Sequence, residues 1–128
     1  MGQNEKLKAI KRHLAVLIRR KDYILPCGPE LPTRWFPADV TDPRTRNKFT
    51  YPGAWDFIAE KLEEEGCRIR EKILDKPPGK KCYELLERTK WGTIYIKVHF
   101  GFGVKNIVYG RSFHYEEDKR GKNGKVHK

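Results

Sequence analysis

Leu7, Ile10, Leu14, Leu17 and Ile18 recur at steps of three and four residues, the spacing that gathers side chains on one stripe of an α-helix. They predict a first helix over residues 3–21. The positions around the stripe are basic: Lys6, Lys8, Lys11, Arg12, His13, Arg19, Arg20 and Lys21. Such a helix can lie along phosphates, sit on an anionic membrane surface, or pack its stripe on a core with its charges in water. Over residues 22–50 the period disappears, and Pro26, Gly28, Pro29, Pro32, Pro37 and Pro43 punctuate the chain. Tyr23, Ile24, Leu25, Trp35, Phe36, Val40 and Phe49 are nevertheless too apolar for a disordered linker. The segment is therefore expected to wrap the domain and dock its aromatic side chains, covering the core or lining a cleft. Within it, Thr41-Asp42-Pro43-Arg44 has turn chemistry, with Asp42 placed to bond backbone beyond the proline.

A second helix is expected over residues 51–66. Pro52 sits in its first turn, where a missing N–H costs nothing, and Gly66 suits a C-terminal cap. Trp55, Ile58, Ala59 and Leu62 form its apolar face; Glu60, Glu63, Glu64 and Glu65 make it acidic toward the C-terminal end, where the helix dipole disfavours anions. Those carboxylates are either simply solvated or compensated by neighbouring Lys and Arg. Beyond residue 67 the pattern becomes that of strands, over residues 68–74, 81–88, 93–100 and 106–115. Pro78-Gly79 suits a type II turn, and Gly101-Phe102-Gly103 reads as a strand connection, with no helix or Gly-Lys-Ser/Thr to make it a phosphate loop. Ile94, Ile96, Val98 and Phe100 alternate with Tyr95, Lys97 and His99, which predicts one face on helices and an opposite face that is polar, basic and aromatic. Gly110 permits a bulge that would switch the alternation beyond it. The expected fold is α+β: two N-terminal helices packed on a four-stranded antiparallel sheet, in one domain over residues 1–118, with a basic tail at 119–128.

Composition narrows the partners. In 128 residues, 28 Lys and Arg against 17 Asp and Glu leave a net charge of +11. That imbalance costs self-repulsion in a compact domain, and a polyanionic partner explains it better than solubility alone. No apolar run is long enough to span a membrane, and the charged first twenty residues lack the apolar stretch of a signal peptide, so a cytoplasmic protein is expected. Cys27, Cys67 and Cys82 show no C-x-x-C spacing, so reduced thiols and no zinc site are expected. No cofactor motif is present.

Candidate chemistry lies on the last two strands: Tyr95, Lys97 and His99, then Arg111, Ser112, His114 and Tyr115. Cleavage of RNA without a metal needs a base for the 2′-hydroxyl, an acid for the leaving 5′-oxygen and a cation on the charged phosphorane. Histidine, tyrosine, lysine and arginine cover those roles. Isolated strand histidines more often serve structure, which weighs on His99 more than on His114, and Tyr109 and Phe113 read as packing residues. His13 and His127 receive no role.

The stretch Gly92-Thr93-Ile94-Tyr95-Ile96-Lys97-Val98, then Ile107-Val108 and Ser112-Phe113-His114, resembles the small bacterial ribonuclease toxins of type II toxin–antitoxin systems. The likeness is to the motility quorum-sensing regulator (MqsR) toxins of the broad RelE-like group, and it covers the C-terminal sheet, about a third of the chain. In those toxins a Tyr-x-Lys strand precedes a final strand ending Ser-Phe-Lys. The resemblance implies functional roles for Tyr95 and His114, with a titrating histidine in place of a fixed lysine cation. It also implies RNA, including mRNA, as substrate and an acidic antitoxin protein as partner. The expectation carried forward is a metal-independent endoribonuclease with Tyr95, Lys97, Arg111 and His114 as catalytic residues. Lys8, Lys11, Arg12, Arg19, Arg20, His99 and Tyr115 would contact nucleic acid. The alternative is a non-catalytic RNA- or DNA-binding module using the sheet for stacking and the first helix as a phosphate clamp. A third is an adaptor whose basic surface docks an acidic protein.

Overall fold

The computed structural model describes residues 3–26, 33–75, 78–101 and 106–117. Its elements are α1 (Gln3–Arg19), β1 (Tyr23–Ile24), β2 (Arg34–Trp35), a single 3-10 turn (Pro37–Asp39), α2 (Tyr51–Glu63), β3 (Arg70–Ile73), β4 (Lys81–Thr89), β5 (Gly92–Phe100) and β6 (Val108–Tyr115). The class is α+β, with both helices on one face of the sheet. The basic tail, Cys27, His127 and the Phe102-Gly103 connection lie outside the described residues.

The sheet is not the four-stranded antiparallel one expected. β3 to β6 do form consecutive antiparallel pairs, but the sheet has six strands and is mixed. β1 and β2 pair in parallel with β6, Tyr23 opposite Val108 and Trp35 opposite Phe113. They lie one after the other along its free edge. Strands of two residues carry no alternation, so the wrapping segment hid them; it covers the core and closes the sheet edge together.

α2 begins as the sequence anticipates. Thr50 accepts the Gly53 N–H at 3.0 Å through its hydroxyl, and Pro52 sits in the first turn. It ends three residues earlier than expected, at Glu63. Gly66 is not its cap. Instead Lys11 of α1 reaches across, its ammonium donating to the carbonyl oxygens of Glu64 (2.8 Å) and Cys67. A cation there satisfies orphan carbonyls and the negative end of the dipole at once. The acidic patch is compensated as well: Arg19 pairs with Asp56 and Glu63, and Lys61 bridges Glu64 and Glu87. Arg44 forks onto Asp42 at 2.8 Å and reaches Asp56 and Glu60. The buried Asp42 also accepts the Arg44 N–H at 2.9 Å, the turn bond its position beside Pro43 predicts.

The core lies between helices and sheet. Leu14, Leu17 and Ile18 of α1 and Trp55, Phe57, Ile58 and Leu62 of α2 meet Leu85, Ile94, Ile96, Val98, Val108 and Phe113. An aromatic stack ties in the wrapping segment: Tyr23 on Trp55 at 4.4 Å and Trp35 on Trp55 at 4.9 Å between ring centres. Trp35 comes this close to β6 because residue 110 has no side chain. A Cβ on Gly110 would lie 2.7 Å from the Trp35 ring and 2.8 Å from a Leu25 methyl. We therefore expect Gly110→Val to lower stability by about 1–3 kcal/mol through overpacking. Gly66→Ala, where a Cβ meets nothing within 4 Å, should stay within about 0.5 kcal/mol of wild type. Urea unfolding of both variants checks the contrast, and equal midpoints would contradict it.

Candidate nucleic-acid interface

β5 and β6 register without a break at both ends but shift in the middle: Lys97 faces Ser112, while Val98 faces Gly110. Arg111 is the extra residue of a bulge. Before it, Val108 and Gly110 point toward the helices; after it, Phe113 and Tyr115 do. The other face of the sheet, which neither helix covers and which is called here the outer face, therefore receives Tyr109, Arg111, Ser112 and His114. Across from them stand His99, Lys97 and Tyr95, and β4 adds Cys82, Glu84 and Leu86. Tyr95, Lys97, Arg111 and His114 thus share one face, as the sequence required of a joint site.

The groups form two linked sets. In the first, Tyr95 donates its phenol proton to Glu84, whose second oxygen accepts from Arg70 at 3.2 Å. Burial, and then the Glu84 carboxylate, push the Tyr95 phenol far above its ordinary pKa. Tyr95 consequently stays protonated and acts as a hydrogen-bond donor. The His114 ring lies 5.3 Å from the Tyr95 ring, and its Nδ1–H donates to the Tyr115 carbonyl at 2.6 Å. That bond assigns the basic lone pair of the neutral ring to Nε2. In the second set, His99 donates Nδ1–H to the Phe100 carbonyl at 2.8 Å and accepts from Arg111 Nη1 at 3.2 Å through Nε2. Burial is the main reason its pKa is pushed down to about 4, with the Arg111 and Lys97 charges adding to it against the Phe100 carbonyl. A neutral His99 can hold a guanidinium in place without repelling it.

Cys82 lies between the sets. Burial raises its thiol pKa, while Lys97, Arg111 and Lys72 pull it down and Glu84 pushes it up. Three cations from three strands thus act on one point, with Glu84 the nearby anion. Glu84, Arg70 and Lys72 were not singled out in the sequence. A lone glutamate in a strand gives no signal until register places it opposite Lys97.

Accessibility is graded across this face. Arg70, Lys72 and Leu86 are exposed, Tyr95, Lys97 and Tyr109 are half-buried, and His99, Arg111 and His114 are 0%, 3% and 3% exposed.

Several expected contacts fall elsewhere. Lys11 is buried against carbonyls and Arg19 is held by carboxylates, so both join the helix pair together. Tyr115 points inward, its hydroxyl accepting the Thr41 N–H at 3.0 Å. His99 is enclosed and orients Arg111. Lys8, Arg12 and Arg20 are exposed on the helix layer; Lys8 lies 4.0 Å from Glu5 and Arg20 3.6 Å from Asp22. Lys8 nevertheless lines one cavity with Arg68, Arg70, Glu84, Leu86 and Arg88, so the helix and sheet layers meet along that edge. No helix among the described residues is long and apolar enough to cross a membrane. Comparisons with protein-family models, with curated proteins and with solved structures find no match to this chain.

Two outcomes test these assignments. Lys11→Met strips the α2 carbonyls of their donor and should cost about 1–3 kcal/mol in urea unfolding. His99 titrates near 6.5 when unfolded and about 4 when folded. The unfolded chain therefore binds the extra proton first, so the stability His99 contributes is full above pH 6.5 and is lost as pH falls toward 4. We expect His99→Gln to flatten the stability-versus-pH curve across that window, and an unaltered slope would show that His99 does not titrate as described.

Proposed function

We propose that this chain is an endoribonuclease that works without a metal and cleaves RNA on the outer face of β4, β5 and β6. The observation that carries the reading is the convergence of Tyr95, Lys97, Arg111 and His114, with Glu84, on that one face. His114 Nε2 takes the proton of the 2′-hydroxyl as the oxygen attacks phosphorus. It returns that proton to the departing 5′-oxygen, leaving a 2′,3′-cyclic phosphate. Arg111, aimed by His99, and Lys97 offset the charge that gathers on the phosphorane. Tyr95, its proton retained by Glu84 and burial, positions the phosphate by donating a hydrogen bond. The sequence likeness to toxin ribonucleases agrees with this reading, and an acidic antitoxin that covers the exposed cations is the matching partner.

A second reading has its own support. Arg111 and His114 are almost wholly enclosed, the His114 Nε2 included, which suits a binding module whose inner polar groups hold the shape of the sheet.

Turnover separates the two. Mixed-sequence RNA incubated in EDTA should be cut by the wild type into fragments ending in 2′,3′-cyclic phosphate. His114→Ala should slow cutting by roughly 10²–10⁴-fold, and Tyr95→Phe by roughly 10-fold through one lost hydrogen bond. Equal cutting by all three proteins would remove these residues from the mechanism; binding without cutting would select the module.

A further inference from the structure

We infer that the ligand of the outer face is single-stranded, and that it lies along a rail of exposed cations on β3 and β4 which leads inward to Arg111 and His114. The inference rests on the reading that this face meets RNA, and it adds the strandedness and the path. The register sets out successive cross-strand rows. One contains Arg70, Glu84, Lys97 and Ser112. The next contains Leu86, Tyr95 and His114, and beyond it stand Arg88 and Thr93. On the other side, Lys72 stands opposite Cys82. Neighbouring rows are two residues apart along a strand, about 7 Å.

The apolar and aromatic row thus lies between two cationic ones. Its outer member, Leu86, is 39% exposed, and Tyr95 beside it is half-buried. Arg70 keeps 64% of its side chain in solvent while it holds Glu84, and Lys72 and Arg88 are exposed. A single strand offers both parts this pattern needs: unpaired base faces for Leu86 and Tyr95, and phosphates on either side for Arg70, Lys72, Lys97 and Arg88. A double helix turns its base faces inward and meets a protein with phosphates and 2′-hydroxyls, so it would have no use for the middle row. The gradient of exposure gives the direction, from the open β3–β4 rim toward the enclosed end of β6. Of the α1 cations, Lys8 lines one cavity with Arg70, Leu86 and Arg88, while Arg12 is exposed on the helix layer outside it.

The test is fluorescence anisotropy with a labelled 2′-O-methyl oligonucleotide, which cannot be cleaved because its nucleophile is blocked. It compares a non-self-complementary single strand with the same sequence as a duplex, on the full chain. The single strand should bind at least about ten-fold tighter. Arg70→Ala with Lys72→Ala should weaken it by about ten-fold and lower the salt slope by roughly 1.4. Leu86→Ala, at an exposed position that folding tolerates, should weaken the single strand several-fold and leave the duplex unchanged. Lys6→Ala with Arg12→Ala on α1, two exposed positions outside that cavity, should change neither. Equal or tighter duplex binding overturns the inference, as does a larger loss from the α1 pair than from the β3 pair. Capture of polyglutamate but no oligonucleotide also overturns it, by assigning the cations to an acidic protein. The two proposals fail separately: single-strand preference without turnover leaves the path standing and removes the catalysis, while RNA cleavage with duplex preference does the reverse.

Discussion

Arg111, the one residue by which β6 exceeds its partner, decides which side chains meet across the outer face. Strand alternation has a period of two, so a single inserted residue exchanges the faces of everything beyond it. Without the insertion, Ser112 and His114 would continue the line of Val108 and Gly110 toward the helices, and Phe113 would point away from the core. With it, Phe113 joins the core and His114 comes beside Tyr95. Gly110 next to the bulge serves the same arrangement, since the Trp35 ring occupies the space where its side chain would be. The core and the candidate site are consequently two results of one backbone irregularity.

The charges divide by layer. Among the described residues, the helix layer pairs much of its own: Arg19 and Arg44 join the acidic face of α2, Lys61 bridges to β4, and Lys11 closes the α2 end. These contacts hold the helices and the wrapping segment against each other. Exposed pairs of this kind add little stability individually, but the buried Lys11 ammonium on partly buried carbonyls is costlier to remove. Across the sheet, among the described residues, Arg70, Lys72, Lys97 and Arg111 share a face with the Glu84 carboxylate. A high net charge is therefore no map of where an anion binds.

Much of this architecture was legible in the residues. The stripe of Leu7 to Ile18 marked α1, Thr50 and Pro52 marked the start of α2, and the alternation from Ile94 to Phe100 assigned both faces of β5 correctly. Gly110 marked the bulge. Asp42-Pro43 marked its turn. The rest depended on contacts between residues far apart in the chain. Arg34–Trp35 becomes a strand only because β6 has a free edge beside it. Lys11 looked like any cation on a solvated helix face, yet it bonds residues more than fifty positions away. Glu84 became part of the site through register alone.

Under the proposed function, RNA rests on the outer face of the sheet and not on the basic helix. Photocrosslinking with 4-thiouridine RNA, followed by identification of the crosslinked peptides, tests it most directly. The account predicts crosslinks in the peptides that carry Leu86 and Tyr95, on β4 and β5. Crosslinks confined to α1 would contradict it.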